Sequence, residues 1–266
     1  MGIINVTPDS FSDGGVTFDP AAAIEHGLRL AEAGADLLDI GGESTRPGAA
    51  RVEANEELRR VLPVVRALAE RAPVPISVDT AKAAVAREAL AAGAEVINDV
   101  TACRADPAMI PLLAETGCGV CLMHMQGTPA TMQQNPTYAD VVGEVFGFLR
   151  DRRGALEGAG IARAKIALDP GIGFGKTLQH NLDLLRNARH FHRLGCPVLV
   201  GHSRKRFIAG VLGDDALDRT AGTIGAALAL ARHGVQVLRV HEVAAVAGAL
   251  RLFEACGGLG HSTLHQ

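Results

Sequence analysis

The sequence is poor in aromatic residues: its 266 residues include eight Phe, one Tyr and no Trp. A flat ligand enclosed in a cage of aromatic rings is therefore excluded, and such a ligand would be held by polar groups at its edges. An excess of charge of one sign is also lacking, because 26 Lys and Arg stand against 29 Asp and Glu. The net charge of −3 gives no reason to expect nucleic acid or another polyanion as a partner.

Long apolar runs are absent as well. No stretch approaches the roughly 20 uncharged apolar residues that a membrane-spanning helix needs. The first nine residues contain neither a basic segment nor a cleavage-like end. We therefore expect a cytoplasmic protein that does not act in a membrane.

Cysteine is scarce and irregularly placed. Five Cys residues, an odd number, indicate reduced thiols better than a disulfide framework. Cys118 and Cys121 form a Cys-x-x-Cys pattern, but they lie in an apolar run that is typical of a strand, where residues three apart point to opposite faces. A redox or zinc site is not favoured there.

Short β-branched apolar runs alternate with longer stretches that have helical spacing. The predicted strands are Gly2–Val6, Asp36–Ile40, Val74–Val78, Glu95–Val100, Gly119–Met123, Lys165–Leu168, Pro197–Val200 and Val235–Val240. The predicted helices are Pro20–Ala33, Glu53–Arg71, Ala81–Ala92, Pro107–Thr116, Tyr138–Ala159, Leu178–Leu194, Leu217–Arg232 and Val243–Ala255. Glycines that can end a helix in the left-handed conformation follow several of them, namely Gly34, Gly93, Gly117, Gly195 and Gly234. The alternation predicts a single-domain (β/α)8 TIM barrel over residues 1–266, with an open doubly wound sheet as the alternative.

Polar side chains stand where the predicted strands end, which is where a barrel collects its catalytic groups. A single polar residue at a strand end is explained by the exposure of loops to solvent. Asn, Asp, His or Arg at the end of every predicted strand instead indicates a functional site. In chain order they are Asn5, Asp39 with Glu43, Asp79, Asn98 with Asp99, His124, Asp169, His202 with Ser203, and Arg239 with His241.

The glycine-rich segment from Asp169 to Thr177 resembles nucleotide-binding motifs but fails their spacing. A phosphate-binding P-loop needs Gly where this chain has Pro170, and a dinucleotide fingerprint needs Gly where it has Lys176. The segment is therefore interpreted as a strand that ends in a carboxylate, followed by a loop able to approach a ligand closely.

Two further segments indicate an anionic ligand. The basic run from His202 to Arg206 is short, isolated and placed at a strand end, so an anionic substrate group is a better partner than nucleic acid. Arg239 and His241 alternate with the period of a strand and could hold one anionic group between them.

The first loop, from Asn5 to Gly15, combines Asn5, Asp9 and Asp13 with hydroxyl groups around Phe11. Hard oxygen ligands on a flexible segment suit Mg²⁺ that is shared with a substrate phosphate, because Mg²⁺ often takes only one or two protein ligands. The second loop, from Gly41 to Gly48, has a similar composition, with hydroxyl groups and an Arg.

Taken together, these motifs closely resemble the dihydropteroate synthase family, and they span residues 5–241 in the order of that family. The segments that carry the resemblance are Asn5–Gly15, Asp39–Gly48, Ser77–Thr80, Ile97–Asp99, Leu168–Lys176, Gly201–Lys205 and Arg239–His241. The resemblance implies an enzyme that transfers a pterin-methyl group from 6-hydroxymethyl-7,8-dihydropterin diphosphate to p-aminobenzoate, releasing pyrophosphate. It also implies a homodimer.

The resemblance further implies roles for individual residues. Four of them are expected to be catalytic: Asp79, Asp169, Lys205 and Arg239. These four and Asn98, Met123 and Phe174 are expected to bind the pterin. The diphosphate is assigned to Asn5, Thr45, Arg239 and His241, and the cofactor Mg²⁺ to Asn5 and Asp13. The p-aminobenzoate is assigned to Phe11, Arg46, Pro47 and Ser203.

Two other functions remain as alternatives. A methyltetrahydrofolate:corrinoid methyltransferase would share the pterin-binding acids, but it has no pyrophosphate to hold and gives no reason for Lys205 or the Arg239–His241 pair. A non-catalytic pterin-binding paralogue would be expected to have lost one of the catalytic Lys, Asp or Arg residues, and this sequence keeps them.

Overall fold

The computed structural model describes residues 1–7, 19–45, 48–214 and 216–259. Over these residues short strands alternate with helices in the predicted order, and each strand lies within two residues of its predicted bounds. The strands are β1 (Gly2–Asn5), β2 (Leu38–Gly41), β3 (Ile76–Asp79), β4 (Val96–Asp99), β5 (Gly119–Met123), β6 (Ile166–Asp169), β7 (Leu199–Gly201) and β8 (Val237–Arg239).

The strands close into a ring of parallel neighbours. Strands β1 to β6 pair in sequence order, and β7 pairs with β8. Two single bridges complete the ring, one between Leu168 and Val198 and the other between Gly2 and Val240. Backbone hydrogen bonds support the second closure, since Ile3 N donates to Val240 O at 3.1 Å and Val240 N to Met1 O at 3.0 Å. The predicted (β/α)8 barrel is confirmed, and the open sheet is excluded.

Helices follow the strands and pack outside the ring. They are α1 (Pro20–Glu32), α2 (Ala54–Arg71), α3 (Ala83–Ala91), α4 (Met109–Thr116), α5 (Val141–Gly158), α6 (Leu178–Arg186), α7 (Arg206–Leu212), α8 (Thr220–Arg232) and α9 (Val243–Ala255). All the glycines predicted to follow helices have positive φ, as at Gly117 (64°) and Gly195 (68°).

Some predicted helix bounds were wrong. Helix α5 starts three residues late because Asp140 caps it, accepting a hydrogen bond from Val142 N at 3.1 Å. The predicted helix Leu178–Leu194 is divided, since α6 ends at Arg186 and residues Ala188–Leu194 form a 3₁₀ helix. The short helix α7 was not predicted at all.

Because side chains alternate along each strand, some pack between the strands and the helices, and the others point into the centre of the barrel. On β2, for example, Leu38 and Ile40 face the helices and belong to the main core, whereas Asp39 lies between them on the opposite face. Inside the ring, the floor is a small apolar cluster of Met1, Cys121 and Leu199 with half-buried neighbours. The polar residues therefore occupy the opposite, carboxyl end of the ring.

Two exclusions made from the sequence can be checked over the described residues. No helix there is long and apolar enough to cross a membrane. All five cysteines are free thiols, with Cys121 buried in the barrel floor, and burial holds its pKa well above the ordinary value. The expectation of reduced thiols is confirmed.

Candidate active site

The carboxyl end of the barrel gathers polar side chains from strands that are far apart in the sequence. Parallel strands place their last residues at the same end, and the alternating inward positions then point toward a common centre. The polar inward residues near this end include Asp39, Ser77, Asp79, Asn98, Asp169 and Arg239, and most of them are buried.

Arg239 lies between two carboxylates. Its Nε donates to Asp39 Oδ2 at 2.6 Å, and its Nη2 donates to Asp79 Oδ2 at 3.2 Å. Side-chain exposure is 18% for Arg239, 0% for Asp39 and 12% for Asp79, so this ion-paired group is largely shielded from water. One side of the barrel end therefore presents a guanidinium that is fixed in orientation by two acids.

The charges of this group oppose one another. Burial raises the pKa of Asp79 to about 7, and the negative charge of Asp39 acts in the same direction, while the positive charge of Arg239 opposes both. Asp79 can therefore change its protonation near neutral pH, which is typical of groups at functional sites.

Asp169 ends β6, and Lys205 follows β7. A Cβ atom on Gly201 would lie 3.8 Å from both Lys205 Nζ and Arg239 Cδ, so the lysine lies beside the guanidinium. Asp169 Oδ1 accepts a hydrogen bond from Gly171 N at 2.7 Å. Lys205 donates to Ile172 O, and its Nζ lies 4.6 Å from the centre of the Phe174 ring. Burial raises the pKa of Asp169 and lowers that of Lys205 to about 8, although their mutual attraction opposes both shifts.

The loop after β6 passes very close to the end of β5. A Cβ atom on Gly171 would lie 1.9 Å from His124 O, and the φ angle of Gly171 is +70°, so this position requires glycine. Phe174 packs beside Met123 in a small apolar cluster that also contains Val100, Met125 and Met132. The structure thus brings Met123 and Phe174 together, as expected for two residues that pack on one ligand.

A second buried lysine was not assigned any role from the sequence. Lys176 is 3% exposed, and its Nζ lies 3.0 Å from His124 Nδ1 and 2.9 Å from Phe174 O. Burial lowers the pKa of Lys176 to about 7 and that of His124 to about 3. The side chain links the end of β5 to the loop that carries Phe174.

Ser203 and His241 form a separate hydrogen-bonded group. The Oγ of Ser203 lies 3.0 Å from Nδ1 of His241, and the Ser203 hydroxyl donates to Glu242 Oε2 at 3.2 Å. Arg239 contacts the acids of β2 and β3 instead. A joint anion site of Arg239 and His241 stays a prediction.

The ends of β1 and β2 carry the remaining assigned residues. Asn5 is half-buried at the end of β1, opposite Gly41 of β2, and Thr45 is half-buried in the loop after β2. The base of that loop is held by Glu43, whose Oε1 accepts from Val52 N at 3.4 Å and whose Oε2 accepts from Lys82. The other residues assigned to these loops lie outside the described residues: Phe11, Asp13, Arg46 and Pro47.

Comparison with known proteins places this barrel in a family. The family described as pterin binding enzymes matches residues 1–241 of the chain. The chain belongs to this family.

Within this family, the curated relatives of the chain are dihydropteroate synthases. That of Escherichia coli K12 is 48% identical over 96% of this chain and 90% of its own length. That of Neisseria meningitidis serogroup C is 49% identical over 97% and 92%, respectively.

Solved structures of dihydropteroate synthases have the same fold. A Yersinia pestis enzyme in a sulfonamide drug complex has a TM-score of 0.90 and 47% identity, over 96% of this chain and 92% of that one. A Xanthomonas albilineans enzyme with 4-aminobenzoic acid has a TM-score of 0.89 and 50% identity, over 96% and 91%. The same enzyme in complex with 7,8-dihydropteroate has a TM-score of 0.87 and 48% identity, over 96% and 92%.

Sequence reasoning placed Asp39 at a strand end but gave it no role in the site. The signal was present, since Asp39 is an acid at an inward strand position between two buried apolar residues, Leu38 and Ile40. Lys176 was considered only as part of nucleotide-binding motifs and of the Leu168–Lys176 segment, with no role of its own. Neither its burial nor its contact with His124 has a local sequence signal.

Proposed function

We propose that the protein joins 6-hydroxymethyl-7,8-dihydropterin diphosphate to p-aminobenzoate in folate biosynthesis, giving 7,8-dihydropteroate and pyrophosphate. The observation that carries this proposal is the arrangement at the barrel end. Carboxylate and amide acceptors from β3, β4 and β6 face two cations, Lys205 and Arg239, in a chain of the dihydropteroate synthase family.

The acceptors suit the edge of a pterin. An aminopyrimidine ring presents adjacent N–H donors, which match carboxylate oxygens and an amide oxygen. Asp79, Asn98 and Asp169 supply such groups at the barrel end. Lys205 would donate to the acceptor side of the ring, and the planar guanidinium of Arg239 can stack on its face. Met123 and Phe174 would pack against the ring, in place of the aromatic cage that the composition excludes.

The cations suit the leaving group. The C–O bond to the diphosphate breaks, and its electron pair stays on the diphosphate oxygen, where negative charge grows. Arg239 and His241, with the Thr45 hydroxyl, would stabilise that charge from fixed positions, which is the arrangement that most favours a transition state. The same guanidinium therefore serves the pterin and the diphosphate.

Mg²⁺ is proposed as the cofactor, with Asn5 as its protein ligand. Within the described ranges, no group of three or more His, Cys, Asp or Glu is arranged to hold a metal ion. The amide oxygen of Asn5 is nevertheless a hard donor, and Mg²⁺ is often held by one or two protein oxygens with substrate phosphates and water. When bound, the ion would neutralise charge on the leaving diphosphate. Asp13 is proposed as a second ligand.

The remaining fragment is a pterin-methyl cation, so we propose a dissociative, SN1-like displacement. The p-aminobenzoate nitrogen forms the new C–N bond and then loses one proton. Phe11, Arg46 and Pro47 would contact the p-aminobenzoate, and Ser203 would contact its carboxylate. Closure of these loops after the pterin binds would keep water from the cation. Calorimetry should then detect p-aminobenzoate binding only with pterin or pyrophosphate present, and tight binding to the free protein would contradict this order.

We propose that the protein is a homodimer, as the family resemblance implies, and that it is cytoplasmic, as its lack of long apolar runs indicates. Light scattering on the purified protein should give about twice the mass of one chain. The mass of a single chain at micromolar concentration would contradict it.

The test of the function is direct product analysis. The purified protein is incubated with the dihydropterin diphosphate and p-aminobenzoate, with Mg²⁺ or with a chelator. We expect equal amounts of dihydropteroate and pyrophosphate, and much less of both with the chelator. Methyl transfer from methyltetrahydrofolate to a corrinoid, or pterin binding without turnover, would overturn the proposal in favour of one of the two alternatives.

A further inference from the structure

Asp39 is fully buried at the barrel end, and it makes three polar contacts. Its Oδ1 accepts from Ser77 Oγ at 2.6 Å. Its Oδ2 accepts from Arg239 Nε at 2.6 Å and from Asn98 Nδ2 at 3.1 Å. These partners come from β3, β8 and β4, so one carboxylate on β2 connects four strands of the ring.

We infer that Asp39 is a positioning residue that sets the orientation of both Arg239 and Asn98 for the transferase reaction. The inference rests on the proposed function. Asp39 is fully buried beneath these two residues, so it acts through them and not on the substrate itself.

The effect on Asn98 follows from hydrogen-bond chemistry. An ionised carboxylate only accepts hydrogen bonds, so the amide group of Asn98 must turn its NH₂ toward Asp39. The amide oxygen of Asn98 therefore points away from Asp39 and can accept a hydrogen bond from a ligand. Without Asp39, nothing in this contact would distinguish the two ends of the amide, and Asn98 could present either a donor or an acceptor to the N–H groups of a pterin.

The effect on Arg239 is geometric. A planar guanidinium held at Nε by Asp39 and at Nη2 by Asp79 is fixed in both position and plane. A guanidinium that contacted Asp79 alone could rotate about that contact. Stacking on a flat ring and stabilising a departing diphosphate both depend on that plane.

Asp39 also affects the charge of Asp79. The groups that act on Asp79 come from several elements: Arg239 on β8, Asp39 on β2, Glu57 on α2, Asp99 on β4, and Lys205 after β7. Burial raises the pKa of Asp79 to about 7, with Asp39 adding to the rise and Arg239 opposing it. Removing the charge of Asp39 would lower the pKa of Asp79. The repulsion between the two carboxylates would be lost, and Asp79 would become the only charged partner of Arg239 in this contact.

The experiment compares Asp39→Asn with the unchanged protein by steady-state kinetics from pH 5.5 to 9. We expect kcat/KM for the dihydropterin diphosphate to fall about ten- to a hundredfold, as for loss of a buried contact to a charged group. We also expect the acid side of the pH profile to move to lower pH. A purely structural role for Asp39 would lower the rate without moving the profile.

The matched control is Ser77→Ala, which removes a contact to Asp39 but keeps its charge. The acid side of its kcat/KM profile should lie at the same pH as in the unchanged protein. An Asp39→Asn profile with unchanged position, with or without a fall in kcat/KM, would overturn the inference. An unchanged protein that forms no dihydropteroate would instead contradict the proposed function.

A second measurement covers the case in which Asp39→Asn does not fold. In the unchanged protein labelled with ¹⁵N-arginine, the Nε–H of Arg239 should give a resonance protected from solvent exchange before any substrate is added, assigned by its loss in Arg239→Lys. A rapidly exchanging Arg239 Nε–H would show that Asp39 does not hold it, and would overturn the inference.

Discussion

Arg239 is the residue on which both halves of the proposed reaction depend. Replacing it by Ala would leave Asp39 and Asp79 without the cation between them and remove positive charge from the diphosphate. We expect turnover of Arg239→Ala to fall at least about a hundredfold, as happens when a preorganised charge is lost. The measurement is kcat at saturating concentrations of both substrates.

Arg59 provides the matched control for this substitution. Its side chain is 69% exposed on α2 and pairs with Glu56 at 2.7 Å. Arg59→Ala should therefore keep the turnover of the unchanged protein. Turnover of Arg239→Ala close to that of the Arg59 variant would show that the assigned role is wrong.

At the scale of single residues, the positions at which the predicted strands end indicated which polar side chains would share one end of the barrel. Asp79, Asn98 and Asp169 were found in this way, because inward positions near the carboxyl ends of parallel strands must converge. The contact of Asp39 with Arg239 could not be found, since the two lie 200 residues apart. Which inward residues meet depends on the stagger between strands and on ring closure, which no local pattern carries.

At the scale of elements, the two ends of the loop between β2 and α2 are joined by a hydrogen bond that one substitution can remove. Glu43 bridges its two ends, because it lies near the start of the loop and accepts from Val52 N near its end. Glu43→Ala removes that bridge and the contact to Lys82. We expect KM for p-aminobenzoate to rise about two- to tenfold, the range for one lost hydrogen bond. KM for the dihydropterin diphosphate should rise less, because Thr45 is the only residue of this loop assigned to that substrate.

Glu43→Gln is the control, since its amide oxygen can still accept from Val52 N. Its KM for p-aminobenzoate should lie close to that of the unchanged protein. If both KM values rise equally in Glu43→Ala, the loop does not act mainly on p-aminobenzoate and this expectation is wrong.

Some helix bounds were predicted well and others poorly, and a capping side chain did not decide which: α9 has none, whereas α5 is capped by Asp140. Helix α9 matches its prediction at both ends, and α1 begins at Pro20, as predicted, after its cap Asp19. Helix α7 was missed because it spans only seven residues, too few for two turns of helical period. Lys205 was placed in the segment after a strand, and the structure agrees. That a helix begins directly after Lys205 was not predicted.

At the scale of the whole molecule, the alternation of strands and helices was enough to predict a closed barrel. The ring closes on either side of the β7–β8 pair through single bridges, Leu168 with Val198 and Gly2 with Val240. Lys205 follows β7 and Arg239 ends β8, so the same region closes the ring and supplies two cations to the site.

Burial of Lys176 should make the stability of the whole protein depend on pH. Burial lowers its pKa to about 7, whereas an unfolded lysine keeps its proton until about pH 10. Between these values the unfolded state binds more protons, so the free energy of unfolding rises with pH by up to about 1.4 kcal/mol per unit from this group. Lys176→Met should therefore show a flatter rise between pH 7 and 8.5, measured by urea unfolding. Lys165→Met, at an exposed site, should keep the slope of the unchanged protein. Equal slopes in all three proteins would mean that Lys176 stays protonated when folded.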